Sequence, residues 1–466
     1  MSPDYGKLFA EIAAYAANRR AGDSERPHAP QATYAQQVSD FRLDLSQTAA
    51  PGQVIRELVA LAEPGLAAVT APRFFGWVMG ASNPIGVAAD WLTSIWGQNA
   101  GNHMATPAAA AAETASAAAL LELLDLPREA AVGFVTGATM ASFTCLAAAR
   151  GAVLRRAGYD LEANGMAGCP PITVVLGEEA HSTIFAGLKY LGFGERNLAK
   201  VAVNREGAME ARAFVEAMEA TTGPVIVIAQ AGHINSGAFD PFVEIARIAR
   251  AKGAWLHIDG AFGLWARATK THRAYGEGLE LADSWSVDGH KWLQTPYDCA
   301  YAIVRDREAH VRAMQISASY LPASAGADRV PADYVPELSR RARGFATWAM
   351  IRLLGRQGVA DMVSRHCALA RRFAQKLGAE PGVEIMNNVV LNQVAAHFGS
   401  DAQTNAVIAR VQASGECFVA GASWRGKAIM RISVTNENTT EADVDRSVAA
   451  MLDAWRTVRA QAGGAA

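Results

Sequence analysis

The 466-residue sequence predicts an α/β protein: a large domain with a mostly parallel sheet, a helical segment before it and a smaller α/β domain after it. Three observations carry this reading. From about residue 84 to 310, short apolar runs alternate with amphipathic helical patterns, as expected where helices connect parallel strands. After Phe345 the pattern changes to long helical stretches, then short strands, then a closing helix. Before residue 84 the chain lacks the strand pattern, and residues 2–20 read as a helix ended by the segment Arg26-Pro27-His28-Ala29-Pro30.

Taken in order, the longest apolar stretch, residues 105–121, is dominated by alanine and contains Pro107 and Glu113, which predicts a buried helix and no membrane span. Val132-Gly133-Phe134-Val135 reads as a strand, followed by a small-residue turn and an alanine-rich helix. Further strands are expected at 173–176, 201–203, 225–229, 255–258, 284–287 and 300–304, and in the C-terminal part at 394–397 and 429–434. The segments expected are 1–83, 84–344 and 345–466. There is no internal repeat or low-complexity tract, and the alanine enrichment is helix composition.

A net charge of -2 gives no reason to expect nucleic-acid or anionic-membrane partners. The five cysteines, Cys145, Cys169, Cys299, Cys367 and Cys417, are odd in number and widely spaced, so neither a disulfide framework nor a zinc site is indicated, and no metal is expected. A reducing, cytoplasmic setting follows. Asp4, Lys7 and Glu11 within an amphipathic pattern argue against a signal peptide.

The chemistry is concentrated at strand ends. In Ser284-Trp285-Ser286-Val287-Asp288-Gly289-His290-Lys291-Trp292, a lysine follows a histidine at the end of an apolar strand, an arrangement suited to holding pyridoxal 5'-phosphate (PLP) through the lysine amine. Trp255-Leu256-His257-Ile258-Asp259 delivers a carboxylate at another strand end, where ligands of open α/β sheets bind. PLP needs such a carboxylate against its pyridine nitrogen, because a protonated ring is the better electron sink. His181 follows the apolar run Ile172-Thr173-Val174-Val175-Leu176 and offers a flat ring for stacking. Gly137, Ala138 and Thr139, between a strand and a helix, offer backbone N–H groups and a hydroxyl to a phosphate.

Together these segments resemble the group II PLP-dependent decarboxylases, the family of aromatic-L-amino-acid, histidine and glutamate decarboxylases. The resemblance runs from Pro72-Arg73-Phe74-Phe75-Gly76 through Ala180-His181-Ser182, His257-Ile258-Asp259 and His290-Lys291-Trp292-Leu293 to Leu338-Ser339-Arg340-Arg341. It implies the fold type I (aspartate aminotransferase) architecture with a seven-stranded sheet. It also implies a homodimer with shared active sites, in which the N-terminal segment embraces the partner and Ser339 approaches the neighbouring cofactor. Lys291 would be the Schiff-base lysine, Asp259 the partner of the pyridinium, His181 and Ala261 the groups on the two ring faces, and His290 and Asp288 phosphate neighbours.

The segment from Gln315 to Asp328, which contains Tyr320, is rich in small residues, lacks hydrophobic periodicity and reads as a long mobile loop. By resemblance it closes over substrate, and Tyr320 protonates the carbon left when CO2 departs, with His181 as a catalytic relay for the proton. The activity implied is decarboxylation of an L-amino acid, aromatic or otherwise bulky, to an amine. The alternatives on this scaffold are an aldehyde synthase or carbon–carbon lyase, and, outside catalysis, a PLP-binding protein without turnover. Trp77, Val78, Asn99, His103, His233 and Arg340 are the candidate substrate contacts. Asn99 and His103 lie in Gln98-Asn99-Ala100-Gly101-Asn102-His103, where aromatic-specific members are bulkier and more apolar. The other histidines, His28, His272, His310, His366 and His397, read as structural or surface residues.

Overall fold

The computed structural model describes residues 4–316 and 329–463. Its described residues divide into two compact units: one of residues 80–316, 329–370 and 387–393, the other of residues 4–79, 371–386 and 394–463.

The larger unit holds a seven-stranded sheet of β1 (Ala131–Val135), β2 (Thr173–Gly177), β3 (Leu198–Val201), β4 (Val225–Gln230), β5 (Trp255–Asp259), β6 (Ser284–Asp288) and β7 (Ala300–Val304). The strand order is β1-β7-β6-β5-β4-β2-β3. β7 runs antiparallel to both neighbours, β1 and β6, while the pairs β2–β3, β2–β4, β4–β5 and β5–β6 are parallel. The C-terminal ends of β1, β2, β4, β5 and β6 therefore share one edge. β1, β5, β6 and β7 are buried along their whole length. Strands covered on both faces read as continuous apolar runs, which is why they were legible.

β3 departs from expectation: it spans Leu198–Val201, and Val203 makes only an isolated bridge to Met209. As the last strand of the sheet it has a single neighbour, and its partly exposed residues Leu198, Ala199 and Lys200 weaken the apolar signal at its start.

The helix Ala138–Arg156 follows β1 and buries Ala141, Cys145, Ala148 and Ala149, whose small side chains allow close approach to the sheet. They join one apolar core with Val174, Leu176, Ile226, Ile228, Ala300 and Ala302. Its N-cap, Gly137, has no side chain to satisfy the first N–H groups. Asp288 at the end of β6 does so instead, accepting the Ala138 N–H at 2.6 Å. A carboxylate at a helix start contributes about 1 kcal/mol, so this bond ties helix to sheet as well. The alanine-rich stretch is the helix Pro107–Leu123, with Glu113 fully buried.

The smaller unit contains a four-stranded sheet of β8 (Val383–Ile385), β9 (Gln393–Phe398), β10 (Ala420–Trp424) and β11 (Lys427–Ser433), in the order β10-β11-β9-β8. β8 and β10 were not expected. β8 has three residues, and β10 reads Ala-Gly-Ala-Ser-Trp, which carries little β-branched signal. The N-terminal helix, Tyr5–Ala21, belongs to this unit. Residues 73–79 are joined to it by Phe75 N–H to Phe418 O at 2.8 Å, Ser433 N–H to Phe75 O at 3.0 Å and an Arg73–Asp443 ion pair at 3.3 Å. The compact units thus follow lines other than the sequence segments 1–83, 84–344 and 345–466. Among the described residues no helix is long and apolar enough to cross a membrane.

Candidate active site

The strand ends of the large unit enclose a cavity of about 270 Å³. Its lining includes Gly137, Ala138 and Thr139 after β1, His181 after β2, Asp259 and Ala261 at the end of β5, and Asp288, His290 and Lys291 at the end of β6. Nine positions proposed from sequence as cofactor contacts are thus brought to one place.

Lys291 extends its Nζ to Asp288 Oδ2 at 2.8 Å and lies 5.9 Å from the centre of the Phe262 ring. The turn that carries it is held from several sides. Gly80 donates its N–H to His290 O at 3.0 Å, and a Cβ on Gly80 would meet Lys291 O at 2.3 Å, so only glycine fits there. Gln294, fully buried, donates from Nε2 to Lys291 O at 3.0 Å and accepts the Ala81 N–H at 2.8 Å. Gly289 is equally constrained: a Cβ there would meet the Tyr301 hydroxyl at 2.5 Å.

Asp259 is buried, with Oδ1 accepting the Ala261 N–H at 3.3 Å and the Ser286 hydroxyl at 3.4 Å. Burial pushes its carboxyl up from the ordinary value, and the positive charges of His181 and Lys291 oppose that rise. His181 caps the helix Ser182–Tyr190; its Nδ1 lies 2.8 Å from the Thr183 hydroxyl, and its backbone N–H donates to Gln230 Oε1 at 3.2 Å. His290 stacks on Tyr297 at 4.3 Å between ring centres, and its Nδ1 accepts the Cys299 N–H at 3.2 Å. Burial lowers its pKa.

An amine, a buried strand-end carboxylate, a flat imidazole and a helix start whose N-cap is glycine, all in one cavity, are groups that suit PLP: a carbonyl trap, a partner for the ring nitrogen, a ring-face contact and an anion cradle. The residues fit that cofactor.

The proposed substrate contacts behave differently. His233 is buried outside the cavity lining, its Nε2 3.1 Å from Glu179 Oε2 and its Nδ1 3.3 Å from the Ser236 hydroxyl. It is neither solvated nor turned into the cavity; its neighbours Gly232 and Ile234 line the wall. Arg340 is also buried, and Glu113 takes its guanidinium at 2.6 and 2.9 Å. Asn99 Oδ1 accepts the Arg340 N–H at 3.0 Å, and Ser339 is exposed. Neither these three nor His103 lines the cavity. Trp77 and Val78 belong to the other compact unit. Tyr320 lies outside the described residues. Of the remaining histidines, His28, His310 and His397 bond to the carbonyls of Gly415, Tyr334 and Ala428, and His366 Nδ1 accepts the Trp292 indole N–H at 2.8 Å.

Five lining residues were missed: Thr183, Gln230, Gly232, Ile234 and Phe262. Gln230 ends β4 beside Asp259, its register partner on β5, so the strand-end argument that found Asp259 extends to it.

Residues 37–398 match the family model of the pyridoxal-dependent decarboxylase conserved domain. The phenylacetaldehyde synthase of Arabidopsis thaliana is 25% identical over 434 residues, covering 88% of this chain and 86% of that protein. The aromatic-L-amino-acid decarboxylase of Rattus norvegicus is 26% identical over 425 residues, covering 87% and 86%. The fold is that of Oryza sativa TDC, whose crystal structure with PLP and tryptamine has a TM-score of 0.90 at 22% identity over 98% of each chain. The family match contains every cavity residue named above, from Gly137 to Lys291, and with that span and that chemistry the chain belongs to the pyridoxal-dependent decarboxylase family.

Proposed function

We propose that this PLP-dependent carboxy-lyase converts an aromatic or otherwise bulky L-amino acid to its amine and CO2. The observation that carries the proposal is the convergence of Lys291, Asp259 and His181 on one cavity whose wall also holds Phe262 and Ile234. Aromatic substrates appear in the names of relatives such as the aromatic-L-amino-acid decarboxylase. PLP, once bound, supplies a sink for the electrons of the bond between Cα and the carboxylate.

The chain's own residues do the rest. Lys291 would hold the cofactor through its Nζ. Asp259 keeps a proton on the ring nitrogen by presenting a carboxylate in a buried setting, where opposite charges interact strongly. Gly137, Ala138 and Thr139 hold the phosphate with the helix start. His181 covers one ring face and Ala261 the other. Tyr320 delivers a proton to the substrate Cα. Borohydride reduction of the PLP-loaded protein, followed by peptide mapping, tests the site: the pyridoxyl group is expected on Lys291, and label on another lysine refutes the assignment.

The active assembly is a homodimer. Support comes from apolar side chains facing solvent on the helix Pro84–Trp96, including Trp91, Leu92 and the 62% exposed Ile95, a surface that a second copy would cover. The other unit exposes Leu43 and Leu45 as well. In such a dimer residues 1–83 and Ser339 act across the interface. Sedimentation of the holoenzyme should show a dimer, and a fully active monomer refutes it. A cytoplasmic location rests on the five free thiols; recovery of the protein with membranes or outside the cytoplasm on cell fractionation refutes it.

A further inference from the structure

We propose that Asp288 opposes the phosphate group of the cofactor, keeping PLP loosely held so that the loaded fraction of the enzyme tracks the free PLP concentration. This rests on residues 137–139 being the phosphate cradle.

The start of the helix Ala138–Arg156 is where an anion should sit, since backbone N–H groups and the helix dipole both favour negative charge. In this chain a negative group is built in. Asp288, 2% exposed, already places Oδ1 on the Ala138 N–H at 2.6 Å. A phosphate arriving there must share that donor with a carboxylate and accept its charge at close range.

Two cationic candidates face Asp288. Lys291 Nζ is 2.8 Å from Oδ2, and His290 Nε2 is 3.4 Å from Oδ1. Lys291 is the amine that joins the cofactor, so its positive charge would then be shared between the cofactor and Asp288. His290 accepts the Cys299 N–H at Nδ1, which leaves Nε2 as the protonated position of a neutral ring. Burial also disfavours its cation. Among the described residues Asp259, Tyr297 and Tyr301 also interact with Asp288, and none of these three is cationic. Loading the cofactor therefore adds phosphate charge beside a buried carboxylate that already holds the Ala138 N–H. Cofactor binding pays for that repulsion, and removing it should tighten binding.

The test titrates the full-length apo protein, and its Asp288→Asn and Asp288→Ser variants, with three probes: PLP, pyridoxal and inorganic phosphate. Asparagine keeps the shape and serine can still cap the helix, so both separate charge from cap. Circular dichroism verifies the fold of each. Both variants are expected to bind PLP about tenfold or more tightly than the parent, because one like charge at contact range is removed from a buried site. Inorganic phosphate should raise their melting temperatures more than it raises the parent's. Pyridoxal, which lacks the phosphate, should bind with little change. Unchanged or weaker PLP binding in both folded variants overturns the proposal. So does an equal gain for pyridoxal, which would place the effect in the release of Lys291. Pyridoxal mapping to Lys291 in a protein indifferent to phosphate would overturn the cradle while leaving the lysine assignment intact.

Discussion

Replacing Asp259 by alanine should lower the rate of CO2 release about a hundredfold or more while the protein stays folded. The carboxylate ends β5 in the cavity floor, held by the Ala261 N–H and the Ser286 hydroxyl. Its burial makes it costly to ionise without a cation, which is the reason it suits a protonated ring nitrogen: each stabilises the charged form of the other. Loss of the carboxylate removes both the protonated ring and one anchor of the cofactor, so PLP should dissociate faster as well. Asp259→Asn keeps the shape without the charge and should resemble alanine in rate more than in cofactor retention. CO2 release by the PLP-saturated variants and the dissociation rate of PLP are the two measurements. Near-normal turnover in either variant would mean that another acid serves the ring.

Replacing Tyr320 by phenylalanine should change the product more than the rate of CO2 loss. The substitution removes the acidic proton and keeps the ring, so protonation at Cα slows by a factor of about 10²–10⁴, the usual worth of a positioned acid. Molecular oxygen can then react at Cα: amino acid, oxygen and water give aldehyde, CO2, ammonia and hydrogen peroxide. The chain is similar to proteins named for both outcomes, an aromatic-L-amino-acid decarboxylase and a phenylacetaldehyde synthase. The parent, with its hydroxyl, should yield amine with little oxygen uptake. An oxygen electrode and mass spectrometry of products decide the matter. If the variant makes amine as fast as the parent and takes up no oxygen, Tyr320 is not the proton donor, and His181 becomes the next candidate.

The strand-end chemistry was legible because it is local. Asp259 and Lys291 each follow an apolar run, and a doubly covered sheet turns such runs into strands whose ends share one edge. What depended on long-range pairing was not legible. Arg340 and His233 carry the charge and shape of substrate contacts, but Glu113 lies 227 positions from Arg340 and its buried carboxylate takes the guanidinium. Glu179 does the same for His233, with which nothing in local spacing associates it. Asp288 was placed near the phosphate, yet its bond to Ala138, 150 positions away, emerges only when β6 and the helix start meet. The N-terminal residues read as a separate helical piece, because the bonds that join Arg73 and Phe75 to Glu416, Phe418 and Asp443 are invisible without the fold.

The most direct measurement supplies the PLP-loaded enzyme with each common L-amino acid and follows CO2, amine and oxygen together. A decarboxylase of the kind proposed releases CO2 and an equal amount of the matching amine from one or a few bulky substrates, with no oxygen consumed. Absence of CO2 from every amino acid, with PLP bound at Lys291, would contradict it.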